Sequence, residues 1–328
     1  RFILNNFISS SLYNWSNLKS LDINRASLEL KKINKRFENL KRIQNVFLNC
    51  YYDSPATNIL FNKLTLNKKI DFSRYNYFHA SYAASSGKII EAKKIVQSAL
   101  KLYPRNLLLN QYEIDLNDEK KINAFNCRKE KHVIGEILYI TANALSSESI
   151  YFLSNFYLNL AKYLNEDFHS YDILLAENFY KIDNFEAEKK IYNNLSKKGE
   201  VFKWHSTKQL VRILVKEEKK DKAIKVLSNA YKDLVNKDAY ETFDFAEFLQ
   251  NNEKIEESIP YYTEIIESMK KGHPLYAEAT DRRGVAYERI GNWDKAEKDF
   301  FTSLEANPNQ PYVINYLAYS WIEQGVKI

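Results

Sequence analysis

The chain is expected to fold as an all-α stack of helical hairpins, and three observations lead there. Glycine and proline are scarce, 7 and 6 in 328 residues, which favours long helices with few loops over many short strands. Residues 277–310 set small, aromatic and turn-forming side chains at fixed offsets: Gly284, Tyr287, Gly291, Ala296, Phe300 and Pro308. Residues 73–106 carry the same arrangement in the same register, with Ala80, Ala83, Gly87, Ala92, Val96, Ala99 and Pro104. A helix–turn–helix unit of this size cannot bury its apolar face alone, so the pattern calls for stacked neighbours.

Each unit pairs a first helix, A, with a second, B. Close approach needs a small residue at position 8 of the unit facing another at position 20, with bulky residues at 7, 11 and 24 around them. Gly at position 15 opens the turn, and Pro near position 32 ends helix B. Residues 1–72 are expected to hold degenerate helical repeats, with Ala26 and Ala56 near position 20. Residues 73–106 form one well-marked unit. Residues 107–134 break the register, and Leu116-Asn117-Asp118-Glu119-Lys120-Lys121 reads as a helix end and polar link, so this stretch is a degenerate repeat or a linker.

From 135 to 328 an array is expected. A unit starting at 135 aligns Ala142, Leu145, Ser154, Leu158 and Ala161. One starting at 169 aligns Ala176 and Phe179, and Asp183-Asn184-Phe185-Glu186-Ala187-Glu188 echoes Gly291-Asn292-Trp293-Asp294-Lys295-Ala296-Glu297 with one residue deleted. A start at 204 aligns Leu210, Val211, Leu214, Ala223, Leu227 and Ala230, and a start at 239 aligns Ala246, Leu249, Ser258 and Tyr262. After the 277–310 unit, Pro311, Leu317, Ala318, Trp321 and Gly325 mark a further helix A. Its helix B is missing from the sequence, so Leu317 and Trp321 are expected to lack a partner and the array to run on in a longer chain.

These residues resemble the tetratricopeptide (TPR) superfamily over about two-thirds of the chain. The run from Arg283 to Arg289, followed by that from Gln310 to Trp321, looks like long, poorly characterised bacterial TPR proteins of alphaproteobacterial type. The resemblance implies a right-handed superhelical α-solenoid and an adaptor role, with no reaction. Thr280 departs from it by replacing the usual aromatic at position 4, and several units lack Pro at position 32. It also implies a concave groove lined by helix A at positions 2, 5, 9, 12 and 13. Here that selects Lys208, Arg212, Phe243, Glu247, Asp281, Val285, Asn315 and Tyr319. Some TPR domains grip a C-terminal carboxylate with Lys and Asn from successive A helices. Lys208 and Arg212 offer part of that charge, but the Asn positions are not filled. A mixed polar and aromatic groove for an extended or helical segment fits better.

The net charge of +6 comes from Lys and Arg interleaved with Asp and Glu, the pattern of solvated helix faces rather than of a nucleic-acid footprint. None of the five histidines, His79, His132, His169, His205 and His273, forms a metal-binding pair with a neighbour, and His79 at position 7 is expected to be packed. No glycine-rich phosphate loop or nucleophile elbow is present, and no cofactor is expected. The 24 tyrosines and 19 phenylalanines fall largely at packing positions. Cys50 and Cys127, far apart in sequence, are expected to be two buried free thiols. No run of 18 apolar residues would span a membrane. The chain opens on Arg1, so an export signal upstream is not excluded, and cytoplasm and periplasm both stay open. The expected function is a non-catalytic scaffold for a protein or peptide partner. The alternatives are an RNA-binding helical repeat, or the TPR arm of a longer enzyme.

Overall fold

A computed structural model describes residues 2–66, 73–120, 124–235, 237–323 and 325, the side chains of residues 2–6 excepted. Among the described residues there are eighteen α-helices and no strand. They divide into two compact units, Arg1–Ser206 and Thr207–Ile328. The first holds α1 (Phe2–Ser16), α2 (Ile23–Lys31), α3 (Glu38–Tyr51), α4 (Thr57–Thr65), α5 (Ser73–Ser85), α6 (Ile89–Leu100), α7 (Leu107–Asn117), α8 (Glu130–Ser147), α9 (Tyr151–Leu164), α10 (Ser170–Lys181), α11 (Phe185–Leu195) and the start of α12 (Glu200–Lys216). The second holds the rest of α12, then α13 (Lys220–Lys232), α14 (Ala239–Asn251), α15 (Ile255–Ser268), α16 (Pro274–Arg289), α17 (Trp293–Ala306) and α18 (Pro311–Glu323). No helix among the described residues is long and apolar enough to cross a membrane.

One turn repeats through the chain. Asp53, Gly87, Glu119, Ser149, Asp183, Glu218, Glu253, Gly291 and Gly325 all have left-handed backbone, φ between 54° and 79°, at steps of 30 to 38 residues. After each of the first eight, the next residue's N–H donates to the carbonyl five residues back, from Ser54 to Asn49 through to Asn292 to Tyr287, at 2.8–3.0 Å. This is the Schellman closure, which satisfies carbonyls that a helix end leaves open. It ends α3, α5, α7, α8, α10, α12, α14 and α16, so α3–α4 belongs to the same series as the hairpins after it.

Small residues make the A–B crossings. Ala80, Ala142, Ala176, Val211 and Ala246 at position 8, and Ala92, Ser154, Ala223, Ser258 and Ala296 at position 20, are all fully buried. Ser154 turns its hydroxyl onto the Ala142 carbonyl at 2.7 Å, satisfying a polar group at the contact. The unit starting at 169 needs no deletion. With Asp183 in the turn, Glu188 stands where Ala296 stands in the later unit, and it is fully buried. Ala187 is one position off the crossing.

One expectation is overturned in the first unit. Cys50 and Cys127 are joined in a disulfide, with Cα atoms 5.9 Å apart, and are not free thiols. Residues 124–129, between α7 and α8, pack inward. Phe125 is buried, with its ring 5.4 Å from Phe47, 4.2 Å from Phe78 and 5.8 Å from Phe168. The Ser81 hydroxyl donates to the Phe125 carbonyl and the Asn165 amide to the Ala124 carbonyl, so the buried backbone is satisfied. This stretch replaces a helix B behind α7. It also lets the N-terminal helices reach forward: α1 packs on α8, and Arg128 pairs with Asp53 at 2.6 Å.

Nearby, Arg74 of α5 forks onto the fully buried Glu136 of α8 at 2.8 and 2.7 Å and reaches the Ser170 hydroxyl. Its guanidinium carbon lies 3.9 Å from the Tyr139 ring centroid and 4.9 Å from that of Phe168. Burial pushes the Glu136 carboxyl up from its ordinary value, against the pull of Arg74. In the second unit Leu317 is buried against Phe300 and Val313, and the Trp321 indole donates to Glu297 at 2.7 Å. Both therefore find partners on α17, contrary to expectation, and Tyr312, Ile314, Tyr319 and Ile322 are the large hydrophobic side chains of α18 that stay exposed.

Candidate functional site

The predicted groove residues all lie in the second unit, on α12, α14, α16 and α18. Helix starts are firmly set. Asp238 and Glu241 form a reciprocal capping box at α14, at 2.7 and 3.1 Å. At α16, His273 accepts from the Leu275 N–H and Pro274 takes the first turn, where its missing N–H costs little.

The charged side chains link successive A helices. Lys208 of α12 is ion-paired with Asp244 of α14. Glu247, one turn on, meets Arg282 of α16 at 3.4 Å, and the Arg282 guanidinium lies 6.0 Å above the Tyr312 ring of α18. Gln250 donates to the Arg282 carbonyl at 3.0 Å and accepts from the Tyr262 hydroxyl at 2.8 Å, holding that segment of α16 in place. The charges thus run as a ladder over three helices, and the Tyr312 ring carries it on to α18.

Asp281 sits beside this ladder, 5% exposed, with Arg282 at 3.8 Å from Oδ2. Its Oδ1 is buried and takes no hydrogen bond from the described residues. Burial pushes the Asp281 carboxyl up to about 6, against the pull of Arg282.

The eight predicted residues do not share one surface. Lys208, Arg212 and Glu247 are half-buried and Asn315 and Tyr319 exposed. Phe243 is 1% exposed, packed 5.7 Å from Tyr262 in the core between α14, α15 and α16. Val285 is buried against Phe300, Val313 and Leu317. These two are correctly placed on helix A but belong to the interior, because apolar side chains there fill the step between neighbouring hairpins. Sequence reasoning passed over Asp244, Arg282 and Tyr312. A signal was present: Lys208 with Asp244, and Glu247 with Arg282, are opposite charges about one repeat apart.

No protein-family model matches the chain, and no curated protein matches it. Solved structures similar to it include YrrB, a TPR protein with an unusual peptide-binding site, at 19% identity over 55% of this chain and 89% of the other, TM-score 0.36. The TPR domain of P58(IPK) is similar at 14% identity over 98% and 99%, TM-score 0.32, and yeast Tom70 at 14% over 91% and 63%, TM-score 0.47. With hairpins closed at a recurring left-handed turn, and small residues meeting where helices A and B cross, the chain is an all-α protein built of tetratricopeptide-type helical hairpins.

Proposed function

We propose that the chain is a non-catalytic scaffold that binds an extended or helical segment of a protein partner along the α12–α14–α16–α18 face. The observation that carries this is the Asp281 carboxylate, buried beside the charge ladder with Oδ1 taking no hydrogen bond from the described residues. An unmet buried acceptor is costly, and an amide or cationic donor from a partner segment would satisfy it. Exposed Tyr319 and Tyr312 add contact area with few rotors to freeze, which suits peptide recognition. Lys208 is paired with Asp244, so a clamp for a terminal carboxylate is the weaker reading.

The test uses the full-length chain and the partner cross-linked to it in its native cell. The triple variant Lys208→Ala, Glu247→Ala, Arg212→Ala is expected to lower recovery of that partner by about tenfold with helicity unchanged. Equal recovery at unchanged helicity rejects this face as the binding surface. We also infer an oxidising compartment as the place of action, since a disulfide such as Cys50–Cys127 persists where thiols are not kept reduced. Free thiols at both positions in protein alkylated inside the native cell would reject that.

A further inference from the structure

The first unit contains a cavity of about 430 Å³ between α5, α7, the start of α10 and the start of α12. Its wall is aromatic. Tyr77 and Tyr112 meet edge to face at 4.9 Å, and Tyr77 stacks on Phe168 at 5.6 Å. Phe202 closes the side towards α12. Asp115 supplies a carboxylate to this wall and Asp167 a second at the exposed edge.

Asp115 is set in place by neighbours. Gln111, one turn earlier on α7, donates from Nε2 to Asp115 Oδ1 at 3.0 Å and accepts from the Val201 N–H at 3.2 Å. The Val201 bond fixes which end of the amide faces Asp115. It depends on Gly199, where an added Cβ would fall 2.2 Å from Gln111 Oε1. Oδ2 of Asp115 takes no hydrogen bond or ion pair from the described residues. Lys120 reaches only Oδ1, at 3.7 Å, and lies closer to Asp118 at 2.9 Å. His169, also on the wall, pairs with Asp172 at 3.5 Å. Lys198 is the opposing charge, on the exposed rim where water screens it.

The same molecule shows what such a combination holds. Arg74 lies against Tyr139 and Phe168 with Glu136 forked onto it, and Phe168 is a wall of the cavity as well. Aromatic faces attract a cation, and the planar guanidinium both stacks and pairs with a carboxylate through two N–H groups. Burial raises the Asp115 carboxyl from its ordinary value, and a cation against it would offset that desolvation.

We propose that this cavity binds a guanidinium group, with Asp115 as its carboxylate partner and Tyr77, Tyr112, Phe168 and Phe202 as its aromatic wall. It lies wholly within the first unit, so it stands or falls independently of the α12–α18 face. The group comes either from an arginine in a bound polypeptide or from a small free guanidinium compound.

Calorimetric titration of the full chain separates these. The probes are Nα-acetyl-arginine N-methylamide, free arginine, and the citrulline counterpart of the first, which keeps the shape and loses the charge. Saturable binding of the arginine amide is expected, with citrulline weaker by about tenfold. Tighter binding of the amide than of free arginine identifies a polypeptide source, and the reverse a small molecule; either ranking supports the site. Asp115→Asn should weaken the arginine amide by about tenfold. Asp167→Asn, on an exposed residue whose loss leaves the fold intact, should weaken it about threefold and serves if the first variant fails to fold. No saturable binding, equal binding of citrulline, or an unchanged affinity in a folded Asp115→Asn protein would overturn the proposal. If that variant does not fold, an unchanged affinity in Asp167→Asn does so.

Discussion

Gly284 is the described glycine of the second unit with the least room for a side chain. A Cβ there would stand 2.9 Å from the Phe300 ring and 3.3 Å from the Ala296 carbonyl oxygen, and Phe300 is itself fully buried. Neither neighbour has room to retreat. Gly284→Leu is therefore expected to wedge α16 from α17 and to cost about 3 kcal/mol or more by overpacking. Urea unfolding measures it, and an unchanged midpoint would mean that α16 and α17 do not cross at this residue. Such positions were legible in the sequence because Gly or Ala at a fixed offset has one packing use. Glu188 was not legible: a glutamate in a charged run reads as a solvated face, yet the turn at Asp183 puts it at a fully buried crossing. Phe243 and Val285 misled for the opposite reason, since a groove rule by position cannot tell an exposed side chain from one that fills the step to the next hairpin.

At the scale of the element, the repeated left-handed turn governs where each helix A stops. Of the nine residues in that conformation only Gly87, Gly291 and Gly325 are glycines, and those three are the ones the sequence revealed. Asp53, Glu119, Ser149, Asp183, Glu218 and Glu253 hold the same backbone with a Cβ, a strain that local sequence does not announce because the Schellman bonds enforce it from the helix side. Glu218 is the cleanest place to release it, being exposed and followed by the 2.8 Å bond from Lys219 to Leu214. Glu218→Gly is expected to stabilise the chain by about 0.5–1 kcal/mol, the relief of strain exceeding the extra freedom given to the unfolded state. Gly291→Ala, with φ 78°, should cost about 1 kcal/mol, although nothing stands within 4 Å of an added Cβ. A stabilising Gly291→Ala in chemical denaturation would show that the turn does not hold this backbone in solution.

At the scale of the molecule, a stack of hairpins should be tied only to its neighbours, so two cysteines 77 residues apart gave no reason to expect a bond. The first unit breaks that rule because residues 124–129 turn inward behind α7 and bring Cys127 to α3. The Arg128–Asp53 pair and the packing of α1 on α8 follow the same route. Such long ties shrink the freedom of the unfolded chain more than local ones do. Closing a loop of this length is worth about 4 kcal/mol in the chain-entropy account. Reduction, or the double variant Cys50→Ser with Cys127→Ser, should lower the unfolding free energy of the first unit by up to that amount. The buried cluster of Phe47, Phe78 and Phe125 remains to hold the link, so reduction should loosen the unit without abolishing its helices. Hydrogen exchange reads this locally. Amides of α3, of α5 and of residues 125–133 should lose protection on reduction while far-ultraviolet helicity stays the same. Unchanged protection there would show that the aromatic cluster alone fixes the inward link, and that the disulfide adds nothing to the unit's stability.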